Sequence, residues 1–428
     1  MSEEKFDALI VGAGLAGSTA ALLLAREGLD VVVVERGETA GSKNMTGGRL
    51  YGHTLEAIIP GFAAEAPVER CITREKISFM TADSAVTMDY QSRKTKNASA
   101  LSYTVLRASF DEWLMTQAEE AGAALVNNIR VDGLISRAGK VVGVKAGDDE
   151  LFANVVILAD GANSILGESI GLVKRANPHH YAVGVKELIE LNENLISDRF
   201  GCQSDEGVAW LFAGAPSDQK MGGGFIYTNR SSVSVGLVFG LHNIDNTKKS
   251  VPQMLEDFKS HPAVKPLLAG GKLLEYSAHI VPEGGYQMIP KIVSDGVLIT
   301  GDAAGFCLNV GYTVRGMDLA IASGEAAAKA VIKAKQSDDF SAEGLLHYKT
   351  LLADNMVMKD MERYKTLPAY LDNERFFNQY PEMVTGLMAD LFTVNGPSEP
   401  FIKSALSRVK KVGMMNLLRD GFKGARTL

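Results

Sequence analysis

The sequence predicts an α/β protein: a Rossmann-type nucleotide-binding domain, an inserted antiparallel sheet and a helical C-terminal region. Three observations carry this. Residues 6–36, FDALIVGAGLAGSTAALLLAREGLDVVVVER, read as strand, glycine turn, helix and strand, ending beside an acid. Apolar strands recur at 155–159 and 297–300, each running into an acid and a glycine. Between them, from Pro178 to about Pro290, strand-like runs follow one another with few helices, whereas the composition from Phe340 onward is helical.

Leu9 to Val11 form a short apolar strand, and Gly12, Gly14 and Gly17 give the GxGxxG spacing at its end. Gly12 permits the tight turn, Gly14 lets backbone approach a pyrophosphate, and Gly17 lets helix and strand pack closely. Leu15 to Arg26 is helical in composition, Gly28 ends that helix, and Val31 to Val34 is a second buried strand. An anion at the helix start, beside Leu15 and Ala16, gains roughly 0.3–1 kcal/mol from the helix dipole. Glu35 falls at the end of the second strand, the position that holds a ribose hydroxyl pair, with Arg36 next to it. Glycines in a strand–helix turn can serve packing alone, but here the whole βαβ frame and the terminal acid occur together.

A chain of 428 residues is long enough for two domains with a sizeable core. The formal net charge of −7 gives no electrostatic footprint for nucleic acid. Cys71, Cys202 and Cys307 are widely spaced, form no CxxC, and cannot supply four thiolates to a cluster or a structural zinc. Reduced thiols in a cytoplasmic protein are expected, and no metal-ligand spacing occurs. Ala8 to Ala25 is uncharged and mostly apolar, but its glycines stand in nucleotide-binding register and no cationic segment precedes it. It is read neither as a membrane span nor as a signal peptide.

After Glu35, the loop 37–51 crowds Lys43, Asn44, Thr46, Gly47, Gly48 and Arg49 together. Such a loop can wrap a cofactor, and a plain surface loop would have the same composition. A short helix is expected at 55–59 before Pro60-Gly61, paired strands within 77–90, and a polar connection at 91–100. Arg107 sits at a strand–helix junction ahead of Asp111 and Glu112. It either pairs with that helix or meets a phosphate or flavin, and spacing leaves both open. Residues 141–144 and 151–153 read as a hairpin around Gly147-Asp148-Asp149, and 125–127 as a strand. Asp160-Gly161 ends the strand 155–159 at the sheet's ligand edge, where the acid can also cap the next helix. In the inserted region, strands are expected at 181–188, 209–213, 223–228 and 232–238, with a helix near 251–259 and a polar turn at 277–285. His279 in that turn either lines a site or, by default, is a satisfied structural histidine. Gly301, Asp302 and Gly305 form the second anchor of the nucleotide site, ahead of a long alanine-rich helix from about Gly316. The tail closes with Lys403, Arg408, Lys410, Lys411, Arg419, Lys423 and Arg426 around apolar residues. This segment is either a helix docked on the protein's own surface or a contact with an anionic membrane face.

Taken together, GAGLAG with Glu35, ADGANS at Asp160 and GDAAG at Asp302 resemble the FAD-binding fold of the glutathione reductase and p-hydroxybenzoate hydroxylase type. The resemblance spans roughly residues 5–335. It narrows at KNMTGGRLY, SAHIVPEGGYQMIPK and GDAAGFCLNVGYTVRGMDLAIASGEAAAK, which are similar to the FixC branch of the electron-transfer-flavoprotein:quinone oxidoreductases. This implies FAD as cofactor and an electron-transfer oxidoreductase that works between an electron transfer flavoprotein and a quinone or ferredoxin-like partner. It also implies flavin contacts at Gly47-Gly48 and from Gly305 to Gly316, including Gly311, Tyr312 and Thr313. Full-length quinone oxidoreductases of this type end in a four-cysteine iron–sulfur module, and this chain lacks the thiols. The resemblance therefore implies a separate ferredoxin-like iron–sulfur protein. The histidine and prolines that follow GDAA in the monooxygenases are replaced by Gly305, Phe306, Cys307 and Leu308, and Met45-Thr46 stand where geranylgeranyl reductases carry a cysteine before the GG pair. The rival expectation is an NAD(P)H-dependent flavin monooxygenase or reductase of a small hydrophobic substrate. A further one is a cofactor-stabilised subunit that organises an electron-transfer complex.

No side chain is named as catalytic, because a flavin carries the redox work itself. The expected division is an FAD-binding domain of residues 1–78, 102–176 and 293–338, a sheet domain of 79–101 and 177–292, and a helical region of 339–428. The expected location is cytoplasmic, with peripheral contact at the inner face of the membrane.

Overall fold

The computed structural model describes residues 5–44, 48–92, 100–174 and 177–427. Five short apolar segments form a parallel sheet in the order Val297–Ile299, Asp149–Leu158, Lys5–Val11, Val31–Val34, Ala124–Val126. Its inner strands are buried on both faces toward their carboxyl ends, which explains the near-continuous runs of Val, Ile and Leu there, while the edge strand Ala124–Val126 is partly exposed. The register has one consequence that positions everything else. Val11 pairs with both Leu158 and Val34, Leu158 with Ile299, and Val34 with Val126, so all five strands end on one row. The backbone ladder runs one residue further: Gly12 donates to Val34 O at 2.9 Å, Ala159 to Val11 O at 2.9 Å, and Thr300 to Leu158 O at 3.0 Å.

The helix Leu15–Arg26 covers one face of this sheet and crosses the long helix Met317–Ser337. The crossing is close because both helices are built of small residues there. A Cβ on Gly324 would lie 2.3 Å from the carbonyl oxygen of Ala16. Buried alanines from 320 to 334 continue that face.

The second sheet runs Lys272–Pro282, Tyr181–Glu190, Ser232–Gly240, Gly222–Thr228, Glu206–Gly214, Val68–Met80, Ser102–Val105, Gly48–Tyr51, with Ala85–Gln91 paired to Val68–Met80. All pairs are antiparallel except Glu206–Gly214 with Val68–Met80. The helices Glu193–Phe200 and Val251–Ser260 close a separate apolar core beneath it. Arg70, 1 % exposed, ties the loops at one end of this sheet. Its guanidinium donates to the carbonyls of Asn229 (2.7 Å), Gln203 (2.9 Å) and Glu206 (3.1 Å).

Several expectations shift. The segment expected as a polar turn at 277–285 is largely an edge strand, Lys272–Pro282, whose residues are mostly half-exposed, so polar side chains cost little there. The hairpin arm at 151–153 and the strand at 155–159 are one strand, Asp149–Leu158. Strands Gly48–Tyr51, Val68–Met80 and Ser102–Val105 belong to the second sheet, so the two sheets interleave in sequence around the expected boundary at 78/79. The connection expected at 91–100 lies mostly outside the described residues.

The last C-terminal helix is anchored by one buried carboxylate. Asp420, 4 % exposed, accepts from Arg375 through two bonds (2.6 and 2.7 Å), from Tyr380 Oη (2.6 Å) and from Asn373 Nδ2 (2.9 Å), while Tyr370 Oη donates to its carbonyl at 3.0 Å. The Arg375 hydrogen bonds outweigh the burial cost and hold the carboxyl well below the usual range. The last helix, Met414–Thr427, is thus docked on the protein, while Met415, Leu418 and Phe422 stay exposed. Asp420→Ala leaves Arg375 and two polar partners unanswered. We expect a loss of about 3 kcal/mol of stability, read by denaturant unfolding, and early protease cleavage near residue 400. Unchanged stability and cleavage would contradict the docking role.

Candidate functional site

Between the carboxyl edge of the parallel sheet and the second sheet lies a cavity of about 800 Å³. One end is nucleotide-like in chemistry: Gly12, Gly14, Leu15, Ala16, Glu35, Arg36, Lys43, Arg107, Asp160, Gly161, Gly301 and Asp302 line it. The other end is apolar, walled by Ile77, Phe79, Leu211, Phe212, Phe225 and Val238 from the second sheet and by Leu371, Phe376 and Phe377 from the C-terminal region. Gly48 and Gly311 line it too.

The three glycines of the turn have different duties. A Cβ on Gly17 would lie 2.0 Å from Gly12 O, and Gly12, at φ +101°, would place one 2.5 Å from Ala159 O. Both are required by packing. Gly14 is different: its nearest neighbour would be Asn44 Nδ2 at 3.8 Å, so the position opens on the cavity. Glu35, 8 % exposed, accepts from Ala13 N at 2.9 Å and Gly37 N at 2.6 Å. It therefore fixes the glycine turn while retaining lone pairs on the cavity side.

Arg107 pairs with buried Asp111 through bonds of 2.8 and 2.7 Å, and Asn44 Nδ2 donates to the same carboxylate at 2.6 Å. The pairing and the cavity position coexist. Arg49 also lines the wall, gripped by Glu75 and Ser102, its guanidinium 4.5 Å above the Tyr51 ring. Asp160 Oδ1 is buried with no hydrogen-bond partner, and burial pushes this carboxyl up to about 6 against the pull of Arg36. Burial raises Asp302 as well, opposed by Arg107 and His279.

The structure brings most expected residues to the cavity but not all. Gly17 lies behind the turn, Gly305 packs on Met288, and Tyr312 and Thr313 sit at the tip of the hairpin Leu308–Asn309/Val314–Arg315, away from the lining. Thr46 and Gly47 lie outside the described residues. Cys307 and Asn309, within the stretch Gly305 to Gly316, line the cavity, and so does Glu283, which no sequence feature marked. His279 lines it too, where a structural role had been the default. Glu283 is 8 % exposed, its carboxyl is pushed up to about 7 by burial, and Asn309 Nδ2 reaches it at 3.4 Å. No spacing rule marks a lone Glu before a GG pair; only its place after an edge strand brings it inside.

These features fit FAD. An open glycine cradle, a helix start, a carboxylate at the end of the second strand and a carboxylate opposite with one buried oxygen unpartnered are what a dinucleotide's phosphates and hydroxyls require. Known families agree. Residues 5–210 match the FAD binding domain family, residues 181–281 the family described as ETF-QO, ubiquinone-binding, and residues 367–428 the ETF-QO/FixC family C-terminal domain. The chain is thus an FAD-dependent oxidoreductase. It is 61% identical to the probable electron transfer flavoprotein-quinone oxidoreductase YdiS of Escherichia coli (strain K12), over 100% of both chains. It is 60% identical to Protein FixC of Salmonella typhi, also over 100% of both. Protein FixC of Azorhizobium caulinodans is 39% identical over 100% of this chain and 99% of its own. The chain belongs to the ETF-QO/FixC family. In fold it is similar to a geranylgeranyl bacteriochlorophyll reductase-like protein from Thermoplasma acidophilum, with a TM-score of 0.73, 22% identity, and coverage of 98% and 99% of the two chains.

Two predictions test the site. Gly14→Val should fold but purify without FAD, because its methyls enter the cavity, whereas Gly17→Ala should be destabilised by the backbone clash. Full flavin occupancy in folded Gly14→Val would refute the cradle. The Glu283 carboxyl binds a proton in the folded chain at pH values where the unfolded chain has released it. Apoprotein stability should therefore be full below about pH 4.5, decline up to about pH 7, and stay flat above. Glu283→Gln should remove this decline and gain on the order of 3 kcal/mol at pH 8. Parallel stability curves for the two proteins would contradict the assignment.

Proposed function

We propose that this chain takes electrons from a reduced electron transfer flavoprotein and delivers them to a quinone. The observation that carries the reading is the continuity of one cavity, from the glycine turn to an apolar wall built by the second sheet. That wall belongs largely to the segment that matches the ubiquinone-binding family. When bound, FAD supplies the exchange of one or two electrons. The protein supplies the rest. Gly14 and the start of helix Leu15–Arg26 receive the pyrophosphate, Glu35 and Asp160 receive hydroxyls, and Arg107 and Lys43 add positive charge near the phosphates. Phe79, Phe212, Phe225 and Phe377 exclude water from the apolar end, where a flat ring with an apolar tail would lie. Glu283 holds a proton in the cavity wall up to about pH 7, and a quinone that takes up two electrons also takes up protons.

In the same reading the FAD-binding domain is assembled from the three sequence segments of the parallel sheet, and the second sheet with the C-terminal helices forms the acceptor side. The cysteines are too few for a resident cluster, so a separate ferredoxin-like protein carries the iron–sulfur group. No described helix is long and apolar enough to cross a membrane. Exposed Phe401, Ile402, Met415, Leu418 and Phe422, among lysines and arginines of the last two helices, suit a peripheral contact with an anionic leaflet.

Stopped-flow mixing with reduced electron transfer flavoprotein should bleach the visible flavin absorbance on a catalytic timescale, and a soluble quinone should restore it. Rapid reduction by NAD(P)H alone, with none by the flavoprotein, would overturn the proposal in favour of a nicotinamide-dependent reductase.

A further inference from the structure

Next to the cavity-lining residue Leu371, the fold assembles two imidazoles and a carboxylate from distant parts of the chain. Strands Tyr181–Glu190 and Ser232–Gly240 pair antiparallel, with Ala182 opposite Gly240. The residues just beyond those paired ends are therefore neighbours. His179 lies in the single turn Pro178–His180, and His242 in the turn Leu241–Asn246. Their rings stack with centroids 4.3 Å apart and planes inclined by 16°. Asp372, immediately after the helix Leu367–Leu371, completes the group from the C-terminal region. His242 Nε2 is 2.8 Å from Asp372 Oδ1, and His179 Nδ1 is 3.8 Å from Asp372 Oδ2. All three donor atoms lie within 4.8 Å of one another, and no other trio of His, Cys, Asp or Glu among the described residues is so disposed.

We propose that His179, His242 and Asp372 form a binding site for a divalent transition-metal ion, Zn²⁺ being the best match, which clasps the C-terminal region onto the second sheet. Imidazole nitrogen with carboxylate oxygen is a donor set that suits this ion. Bond lengths of about 2.1 Å place tetrahedral donors about 3.4 Å apart. The two His–Asp separations of 2.8 and 3.8 Å bracket that value; because the rings are stacked nearly parallel, closure on one ion requires exposed His179 to turn out of the stack and the Asn243 amide, 2.9 Å from His242 Nε2, to give way. The side chain of His242 is 11 % exposed and supplies a fixed ligand, while His179 at 62 % and Asp372 at 39 % leave an entry path and room for water as a further ligand. Position gives the site its consequence. Leu371 directly precedes Asp372, and Phe376 and Phe377 follow closely; all three line the cavity. The ion pair of Lys220 with Glu374, at 3.1 Å, crosses the same seam. A metal held here fixes the segment that closes the apolar end of the cavity. The ligands are far apart in sequence, which is why no metal-ligand spacing could announce them.

The test uses the untagged full chain with its flavin bound, stripped of metal by a chelator and titrated with Zn²⁺ in a calorimeter. One equivalent should bind, with a rise in melting temperature. His242→Ala and Asp372→Asn, both checked for flavin retention, should each weaken binding by about 100-fold or more. In the unsubstituted protein, Zn²⁺ should also protect exposed His179 from diethylpyrocarbonate, read by mass spectrometry. Absent saturable binding, binding unchanged in both variants, or binding abolished by alkylation of the cysteines would each overturn the proposal.

Discussion

The rest of the structure depends on a row of backbone at which five parallel strands stop together. Because Val11, Val34, Val126, Leu158 and Ile299 share one level of the ladder, the next residues are delivered to a common edge. Glycine at 12 and a carboxylate at 35 occupy that row, and the carboxylates at 160 and 302 lie one and two residues beyond it. Strand length in an α/β sheet thus fixes where charge and open backbone can meet a ligand. Each strand is too short and too apolar to carry chemistry itself. Its work is to stop in the right place.

Against this edge the second sheet supplies the opposite quality. Its inner surface near the cavity is aromatic and aliphatic, and its own core is separate from that of the parallel sheet. One cavity therefore has a polar, hydrogen-bonding end and a dry end, an arrangement suited to holding a dinucleotide at one side and an apolar electron acceptor at the other. The C-terminal helices complete the dry end, and their polar anchors include Asp420 with Arg375, Asp360 with Arg315, and the seam near Asp372. Membership of the ETF-QO/FixC family accords with this division.

Much of the parallel sheet was legible because its signals are local. A GxGxxG turn, a helix of small residues and a second valine strand occupy one continuous stretch, and the recurrence of strand–acid–glycine at 160 and 302 supplies the remaining ends. Arg107 was legible only as a choice; it pairs with Asp111 and also lines the cavity. What stayed hidden depends on tertiary placement. Glu283 follows an edge strand whose polar residues imitate a turn. The histidines at 179 and 242 become neighbours only once two strands have paired in register. The different duties of Gly12, Gly14 and Gly17 follow from what each missing Cβ would touch: Gly12 and Gly14 both line the cavity, but only at Gly14 would a side chain enter it.

On the proposed reading, the converging strand ends hold the whole of FAD, the adenosine and pyrophosphate half as much as the ring. The most direct measurement is calorimetric titration of the flavin-free protein with FAD and, separately, with FMN. One equivalent of FAD should bind tightly and FMN far more weakly, because FMN leaves Glu35 and half of the glycine cradle without a partner. Equal affinity for the two, or no binding of FAD, would contradict the account.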